Sequence, residues 1–286
     1  LWAKRIFLLS SLLVSAILAL TISLLIANTY VSKALLAPKE ENPVAGSLSN
    51  LASQYGGLAN LAGLNFNSQA ENSVTVSIET IKSFKFFEKY LYEDVVLHMM
   101  AVETWDRDTG RFSYSADLYS EEDFKWIDKP SAQETYREFQ KILRVSQSAK
   151  TGLVTIEVEH MSPHIARLWV EEIVERVNEE MRSKDVEEAR KSIEYLREQR
   201  SLNNLINLDE MFVRLIEEKI KTLMLANVSE DYVFSVIDPP VAMEKKARPN
   251  RALICVMGTF LGVFVSFIFV LIRAFIWPEL VSQEQH

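Results

Sequence analysis

The residue types that could carry out chemistry are few and widely spaced in this chain. Two of its four histidines, His160 and His164, are four residues apart, a spacing that can place two metal ligands on one helical face. Ser162 and Pro163 stand between them, and Ser-Pro is a helix-start signal. The two rings therefore do not share a helical face, and we interpret this stretch as a strand-to-helix corner. The acidic run at residues 121–123 reads as a solvated surface.

Motifs for phosphate or metal chemistry are absent from the sequence as well. It contains no Gly-x-x-x-x-Gly-Lys-Ser/Thr, no Gly-x-Gly-x-x-Gly and no His-Glu-x-x-His. The single cysteine, Cys255, lies in an apolar segment, which leaves the polar part of the chain without a disulfide or a Cys-based metal site. The formal net charge of −8 argues against nucleic acid as a partner. We therefore predict no catalytic, metal-binding or cofactor-binding residues, and a protein that is not an enzyme.

Two uncharged segments near the ends of the chain flank its polar part and would anchor that part at both ends. They are residues 6–27 and residues 252–272. At 1.5 Å per residue each helix would be roughly 32 Å long, which matches a hydrocarbon core of about 30 Å. The first segment is longer than a signal-peptide core and is followed by no small-x-small cleavage site before Asn28. We predict two transmembrane helices, the first of them a retained anchor.

This division predicts a short N-terminal remnant at residues 1–5, a polar domain at residues 28–251 and a short tail at residues 273–286. Because the chain begins with Leu1, we expect that residues preceding it are missing. Orientation is weakly encoded. Lys4, Arg5 and Arg273 favour cytoplasmic termini, whereas four basic residues between 245 and 251 oppose that orientation.

The polar domain has the pattern of an α+β fold. Residues 30–37 and 232–237 read as strands that pair in one sheet, because each adjoins a membrane segment. A hairpin is predicted around Lys150-Thr151-Gly152. A long helix is predicted from Pro163 to about residue 200, and a return helix over about residues 209–226. Since residues 178–192 are mostly charged, this part of the long helix is expected to protrude into solvent or to face other subunits across a wet contact.

Residues 44–70 contain no charged residue and carry a Gly-Gly pair within a leucine-rich stretch. One interpretation is a partly helical linker. The other is a loop that touches the membrane surface or lines the inside of an oligomer. The residues that would do so are Gly56, Gly57, Leu58 and Leu61.

The second apolar segment and the stretch before it carry two further patterns. Gly258 and Gly262 form Gly-x-x-x-Gly, which lets another helix approach closely because the strip has no Cβ atoms. The partner would be the first segment, with its small-residue face of Ser10, Ser11, Ser15 and Ala19, or a helix of another protein. Pro239, Pro240 and Pro249 would form a stiff spacer, or would set the angle between domain and membrane.

Taken in order, these features resemble the Wzz-type chain-length determinants, which are polysaccharide co-polymerases of the two-span class without a kinase domain. Besides the two spans and the long helix, four stretches carry the resemblance. They are residues 53–59 (Ser-Gln-Tyr-Gly-Gly-Leu-Ala), residues 215–227 with Leu-Ile-Glu-Glu and Lys-Thr-Leu-Met-Leu-Ala-Asn, residues 232–239 with Tyr-Val-Phe and Ile-Asp-Pro, and residues 245–254 (Lys-Lys-Ala-Arg-Pro-Asn-Arg-Ala-Leu-Ile).

The resemblance implies a function that composition does not. Such proteins lie in the bacterial inner membrane with both termini cytoplasmic and the domain periplasmic. They form ring-shaped homo-oligomers, generally octamers, and set the modal length of O-antigen or a related lipid-linked glycan made by a Wzy-type polymerase. They have no catalytic activity, and the growing glycan is a further candidate partner. The sequence departs from many relatives at Met243, where they have another proline.

Two other function classes share parts of this pattern. A two-span periplasmic sensor would need a cytoplasmic output domain, and few residues follow Arg273. The same count is the reason to expect the class without a kinase domain. A periplasm-spanning export adaptor would carry a long symmetric helical hairpin, whereas the predicted return helix is about half as long as the outgoing one.

Overall fold

The computed structural model describes residues 5–39, 68–202, 206–228 and 231–275. They fall into two compact units. The terminal unit comprises residues 1–30 and 244–286, and the central unit comprises residues 31–243.

The terminal unit consists of helix α1, Arg5–Leu25, and the C-terminal helix α8, Arg251–Phe275. Helix α8 begins where the side-chain oxygen of Asn250 accepts a hydrogen bond from the backbone N–H of Leu253 at 3.3 Å, an N-terminal cap. Its stretch Arg251–Ile268 is long and apolar enough to cross a membrane. In α1 the described apolar stretch, Ser10–Leu25, is shorter. One of the two predicted spans is therefore supported by length and composition, and the other stays a prediction.

The central unit mixes helices and strands, as predicted. In chain order its elements are β1 Tyr30–Pro38, α2 Ser68–Ile81, α3 Phe84–Phe86, α4 Tyr92–Val96, β2 Val102–Trp105, β3 Phe112–Tyr114, β4 Tyr119–Ser120, β5 Lys125–Trp126, α5 Ala132–Ile142, β6 Leu143–Gln147, β7 Val154–His160, α6 Pro163–Leu202, α7 Ile206–Val228 and β8 Phe234–Asp238.

The main sheet has four strands in the order β6-β7-β1-β8. Strands β6 and β7 form the predicted hairpin, with Leu143 opposite Val158, and Gly152 in its turn has a φ of 71° that favours glycine. Strands β1 and β8 are antiparallel, with Leu36 opposite Val236. The predicted pairing of the strands that adjoin the two apolar segments is thus confirmed.

The core lies where one face of this sheet meets the first turns of α6. Val154, Ile156 and Val158 are fully buried because alternate residues of a strand point to the same side. Trp169, Val170 and Ile173 of α6 belong to the same cluster. Each large apolar side chain buried in this way contributes on the order of 2 kcal/mol to folding.

Two helices of the central unit begin at serine residues whose side chains form capping bonds. The Ser131 side chain accepts from the backbone of Glu134 at 3.3 Å, and the Glu134 carboxylate accepts from the Ser131 backbone at 3.0 Å, a complete capping box for α5. The Ser83 side chain accepts from the Phe86 backbone at 3.2 Å and caps α3. Beyond α3 the chain stays helical through Ala101, with π-helical turns at Phe87–Leu91 and Leu97–Ala101.

The long helix α6 is present over Pro163–Leu202, and α7 returns alongside it over Ile206–Val228. The charged part of α6, expected to protrude into solvent or to face other subunits, is partly covered within its own unit. Asn178, Met181, Ala189 and Ile193 are all buried. One stripe of the helix is thus covered within the unit: Asn178 lies against the start of β8, and α7 packs alongside α6.

Candidate functional site

The strip of small residues in the terminal unit meets helix α1. Gly258 lies against Ala19, so closely that a Cβ atom on the glycine would stand 2.6 Å from the Ala19 Cβ. A Cβ on Gly262 would stand closer still to Ser15. One turn further along, the hydroxyl groups of Ser11 and Ser266 are in contact. Small residues at every fourth position of both antiparallel helices therefore allow the two backbones to approach.

The sequence allowed two partners for the glycine pair, the first apolar segment or a helix of another protein, and in the structure the partner is the first segment, α1. The strip is covered by α1, and a helix of another protein could reach Gly258 or Gly262 only by displacing it. Of the four small residues predicted on the α1 face, Ser11, Ser15 and Ala19 line the contact, whereas Ser10 is exposed.

The three prolines of the predicted tether differ in their surroundings. Pro239 is exposed and Pro240 is buried in the central unit, directly after β8. The carbonyl oxygen of the next residue, Val241, accepts a hydrogen bond of 3.0 Å from the Ser32 side chain, which holds this segment against β1. Pro249 is buried in the terminal unit. Prolines with fixed φ thus occupy packed positions at both ends of the segment.

The predicted membrane-facing or lumen-facing loop, with Gly56, Gly57, Leu58 and Leu61, lies outside the described residues.

His160 occupies the strand-to-helix corner that the sequence predicted. Its Nδ1 accepts from the Ser162 backbone N–H at 3.0 Å, so its Nε2 donates to the His98 carbonyl oxygen at 3.1 Å. The Trp169 ring lies 4.8 Å away, centroid to centroid. Burial lowers the pKa of His160 to about 4, so the ring is neutral at pH 7. Both ring nitrogens are used by backbone partners, which leaves neither for a metal.

Asn178 is a buried polar residue that links two elements, and the sequence pattern did not identify it. Its side-chain oxygen accepts from the backbone N–H groups of Val233 at 2.8 Å and Phe234 at 2.9 Å. Its side-chain nitrogen donates to the Phe234 carbonyl oxygen at 3.0 Å. One buried amide therefore anchors the start of β8 to the long helix. In the sequence it reads as the first residue of a charged stretch, and no local signal marks it.

A second polar link joins α6 to the π-helical turn at Phe87–Leu91. The Glu180 carboxylate accepts from the Lys89 ammonium and from the Tyr90 hydroxyl, each at 2.7 Å. Burial raises the pKa of Glu180, but these hydrogen bonds outweigh burial and hold the pKa below its ordinary value. The link is structural, because both donors are already used by the protein.

An open cavity of about 610 Å³ lies between α6 and residues 231–240. Pro239 and Pro240 stand on one side of it. Its charged lining residues are Glu171, Glu175, Glu179, Asp231, Arg176 and Arg182. Carboxylates outnumber guanidinium groups, which disfavours an anionic ligand. Among the residues that the structure describes, no group of three or more His, Cys, Asp or Glu side chains could hold a metal ion.

Residues 197–275 match the family GNVR, described as "G-rich domain on putative tyrosine kinase". The match begins near the end of α6 and continues through α7, β8, the proline-bearing segment and α8. A comparison with curated proteins gives no match.

Among solved structures, the chain is similar to one described as "full-length bacterial polysaccharide co-polymerase", with 12% identity and a TM-score of 0.41 over 96% of this chain and 95% of that one. A fragment of WzzB, polysaccharide co-polymerase from Salmonella Typhimurium, has 14% identity and a TM-score of 0.35 over 77% and 99%. A mutant of the Shigella flexneri lipopolysaccharide O-antigen chain-length regulator WzzBSF has 10% identity and a TM-score of 0.26 over 76% and 99%.

Proposed function

We propose that this chain is a Wzz-type polysaccharide co-polymerase, a non-catalytic regulator of the chain length of O-antigen or a related lipid-linked surface polysaccharide. The observation that carries the proposal is the family match over residues 197–275. It covers, without interruption, the return helix, the edge strand, the prolines and the membrane helix, which include three of the four stretches on which the resemblance rests.

The proposal places the chain in the bacterial inner membrane with two spans, α1 and α8, both termini in the cytoplasm and the central unit in the periplasm. It acts as a ring-shaped homo-oligomer, expected to be an octamer, together with a Wzy-type polymerase. Support for self-association comes from the outward side of α7, where Ile220, Met224 and Val228 are exposed at every fourth position. A stripe of this kind is unfavourable in water unless another surface covers it.

The mechanism we propose is a scaffold. The ring holds the polymerase or its growing glycan, and its size and stiffness bias when extension stops. Because α1 occupies the glycine strip, we place the polymerase contact on the opposite side of α8, where Phe260 and Phe264 are exposed. The packed positions of Pro240 and Pro249 suit a segment that transmits the orientation of the membrane helices to the periplasmic domain.

The test is a lipopolysaccharide gel of a strain deleted for this gene, with and without the full chain restored. We expect an unregulated ladder of lengths in the deletion strain and a single modal length on restoration. The same ladder in both strains would contradict the proposal. A normal ladder combined with lost secretion of a substrate would favour an export adaptor instead.

A further inference from the structure

Four basic residues directly precede or begin the membrane helix α8, and the proposed scaffold assigns no role to their charges. Within residues 244–251 the chain carries Lys245, Lys246, Arg248 and Arg251 against a single acidic residue, Glu244. On the proposed topology they lie on the non-cytoplasmic side, where the positive-inside bias does not account for them.

The backbone holds these residues beside the end of α1. Thr29 and Arg248 form an antiparallel bridge, in which the Thr29 N–H donates to the Arg248 carbonyl oxygen at 2.9 Å. The Ala247 N–H donates to the Thr29 carbonyl oxygen at 2.8 Å. Asn28, the residue before the bridge, is thereby fixed next to the start of α8.

Two of the cations converge on Asn28. The Lys246 ammonium donates to the Asn28 side-chain oxygen at 3.2 Å, and a terminal guanidinium nitrogen of Arg251 donates to the same oxygen at 3.3 Å. Two positive groups thus share one neutral acceptor, and the distance between them cannot exceed the sum of these two bonds. Neither cation is paired with a carboxylate within the described residues. Like charges this close repel each other unless an anion lies between them.

The start of α8 adds to the positive field at this corner. Arg251 is also the first residue of α8, so the positive end of a 25-residue helix adds to the local field. A phosphate group matches this arrangement, because its oxygens can accept from an ammonium and a guanidinium at once.

We propose that Lys246 and Arg251, gathered around Asn28, bind the phosphate group of a membrane lipid. The inference rests on the proposed function in one respect, that α8 spans a membrane. The cations then stand where the apolar helix begins, at the depth of the lipid headgroups, and the phosphate there is covalently part of a lipid. The ligand class is an anionic phospholipid or a polyisoprenoid phosphate, which share this chemistry.

The experiment uses the full chain purified in a non-ionic detergent, with lipid binding counted by native mass spectrometry. The probes are phosphatidylglycerol and diacylglycerol, which share two acyl chains and differ in the phosphate. We expect phosphatidylglycerol to bind about tenfold or more tightly than diacylglycerol. Equal binding of the two lipids would overturn the proposal.

Three variants localise the site. Lys246→Gln with Arg251→Gln removes both cations, and we expect about a tenfold or greater loss of phosphatidylglycerol affinity. Asn28→Asp places a carboxylate between the cations, so it should compete with the phosphate and cause a similar loss without lowering the unfolding temperature. Lys245→Gln is the control: it lowers the net charge by one, as Asn28→Asp does, on a residue that does not hydrogen-bond Asn28, and should stay within about twofold. An equal loss in the control, or unchanged binding in Asn28→Asp, would refute the site.

Two further arms distinguish the sources of the phosphate. Inorganic phosphate at millimolar concentration should not displace the lipid, and displacement would refute a lipid-embedded site. Competition between undecaprenyl phosphate and phosphatidylglycerol then ranks the two lipid classes, and displacement of neither by the other would refute a shared phosphate site. The proposed function is tested separately, by the glycan ladder of the deletion strain. That result does not depend on lipid binding by the purified chain.

Discussion

At the scale of single residues, two buried polar side chains of the central unit, Asn178 and His160, hydrogen-bond to backbone groups of neighbouring elements. Asn178 satisfies two N–H groups and one carbonyl group at the start of β8. His160 bridges the His98 carbonyl and the Ser162 N–H at the entrance to α6. Leaving a buried polar group without a partner lowers the free energy of unfolding by more than the hydrogen bond had contributed to it. Substitutions at these positions are therefore expected to be destabilising.

The first prediction concerns the amide that anchors β8. Asn178→Ala leaves the Val233 and Phe234 N–H groups without acceptors in a buried place, so we expect a loss of about 2–3 kcal/mol in the free energy of unfolding. Urea unfolding of the full chain in detergent measures it. Lys184→Ala, on an exposed position of the same helix, is the control and should change stability by less than about 0.5 kcal/mol. Equal effects would show that Asn178 does not anchor the strand.

The second prediction is a pH dependence caused by His160. Its pKa in the folded protein is about 4, below the ordinary 6.5. As the pH falls below 6.5 the unfolded chain takes up a proton that the folded protein does not, so stability falls, by roughly 3 kcal/mol once the pH is below 4.

The readout is the unfolding free energy of the wild-type chain and of His160→Gln between pH 7 and pH 4. Carboxylates contribute to the slope in both proteins, so the difference between the slopes isolates the histidine. We expect a steeper loss in the wild type, and parallel curves would contradict a neutral buried ring.

At the scale of elements, the terminal unit is an antiparallel helix pair whose contact depends on small side chains. Ser11, Ser15 and Ala19 oppose Ser266, Gly262 and Gly258 in a single register. In lipid no hydrophobic force draws the two helices together, so close backbone approach and hydrogen bonds must supply the attraction.

The third prediction tests the register directly. In a chain with Cys255→Ala, the pair Ser11→Cys and Ser266→Cys should form an intramolecular disulfide on mild oxidation, because the two hydroxyl groups are in contact. Ser10→Cys with Ser266→Cys is the matched control, since Ser10 is exposed and should cross-link weakly. The measurement is the mobility shift on a non-reducing gel. Equal yields from both pairs would refute the register.

The fourth prediction links the helix pair to glycan length. Gly258→Leu with Gly262→Leu places side chains where α1 already lies, so the pair should separate and the glycan ladder should broaden or shift. Val265→Leu, at an exposed position of the same helix, should leave the ladder unchanged. The readout is a lipopolysaccharide gel at matched protein levels. A normal ladder from the double variant would show that the contact between α1 and α8 does not affect glycan length.

At the scale of the whole molecule, the exposed stripe on α7 bears on assembly. Met224 is 64% exposed and Val228 is 83% exposed, although both are apolar residues on a helix whose other face is packed on α6. A helix with one covered apolar face needs no second one for its own fold. The stripe therefore fits a contact between copies of the chain.

The fifth prediction follows from that stripe. Met224→Glu with Val228→Glu should reduce the mass of the assembly in detergent, because two charges would be buried at each contact. Glu218→Gln, on an exposed position of α7, is the control and should leave the mass unchanged. Multi-angle light scattering reports the mass. An unaltered oligomer with the double variant would place the contact elsewhere.

Features that depend on a few neighbouring residues could be predicted from the sequence. The Ser131–Glu134 capping box, the turn at Gly152 and the alternation of Val154, Ile156 and Val158 are all local signals, and each appears in the structure. The π-helical turns at Phe87–Leu91 and Leu97–Ala101 were not predicted. Their hydrogen bonds span one residue more than those of an α-helix, so the apolar residues do not follow the regular α-helical period.

Composition and periodicity along the chain were enough to predict the apolar segments, the mixed class of the domain and the long helix, and the resemblance to chain-length determinants rests on four short stretches of sequence. The contact of Gly258 and Gly262 with α1, the burial of Asn178 and the convergence of Lys246 and Arg251 on Asn28 became visible only in the folded chain. Each of these contacts joins residues far apart in the sequence. Their partners are set by the topology and by the packing of whole elements, which no local pattern encodes.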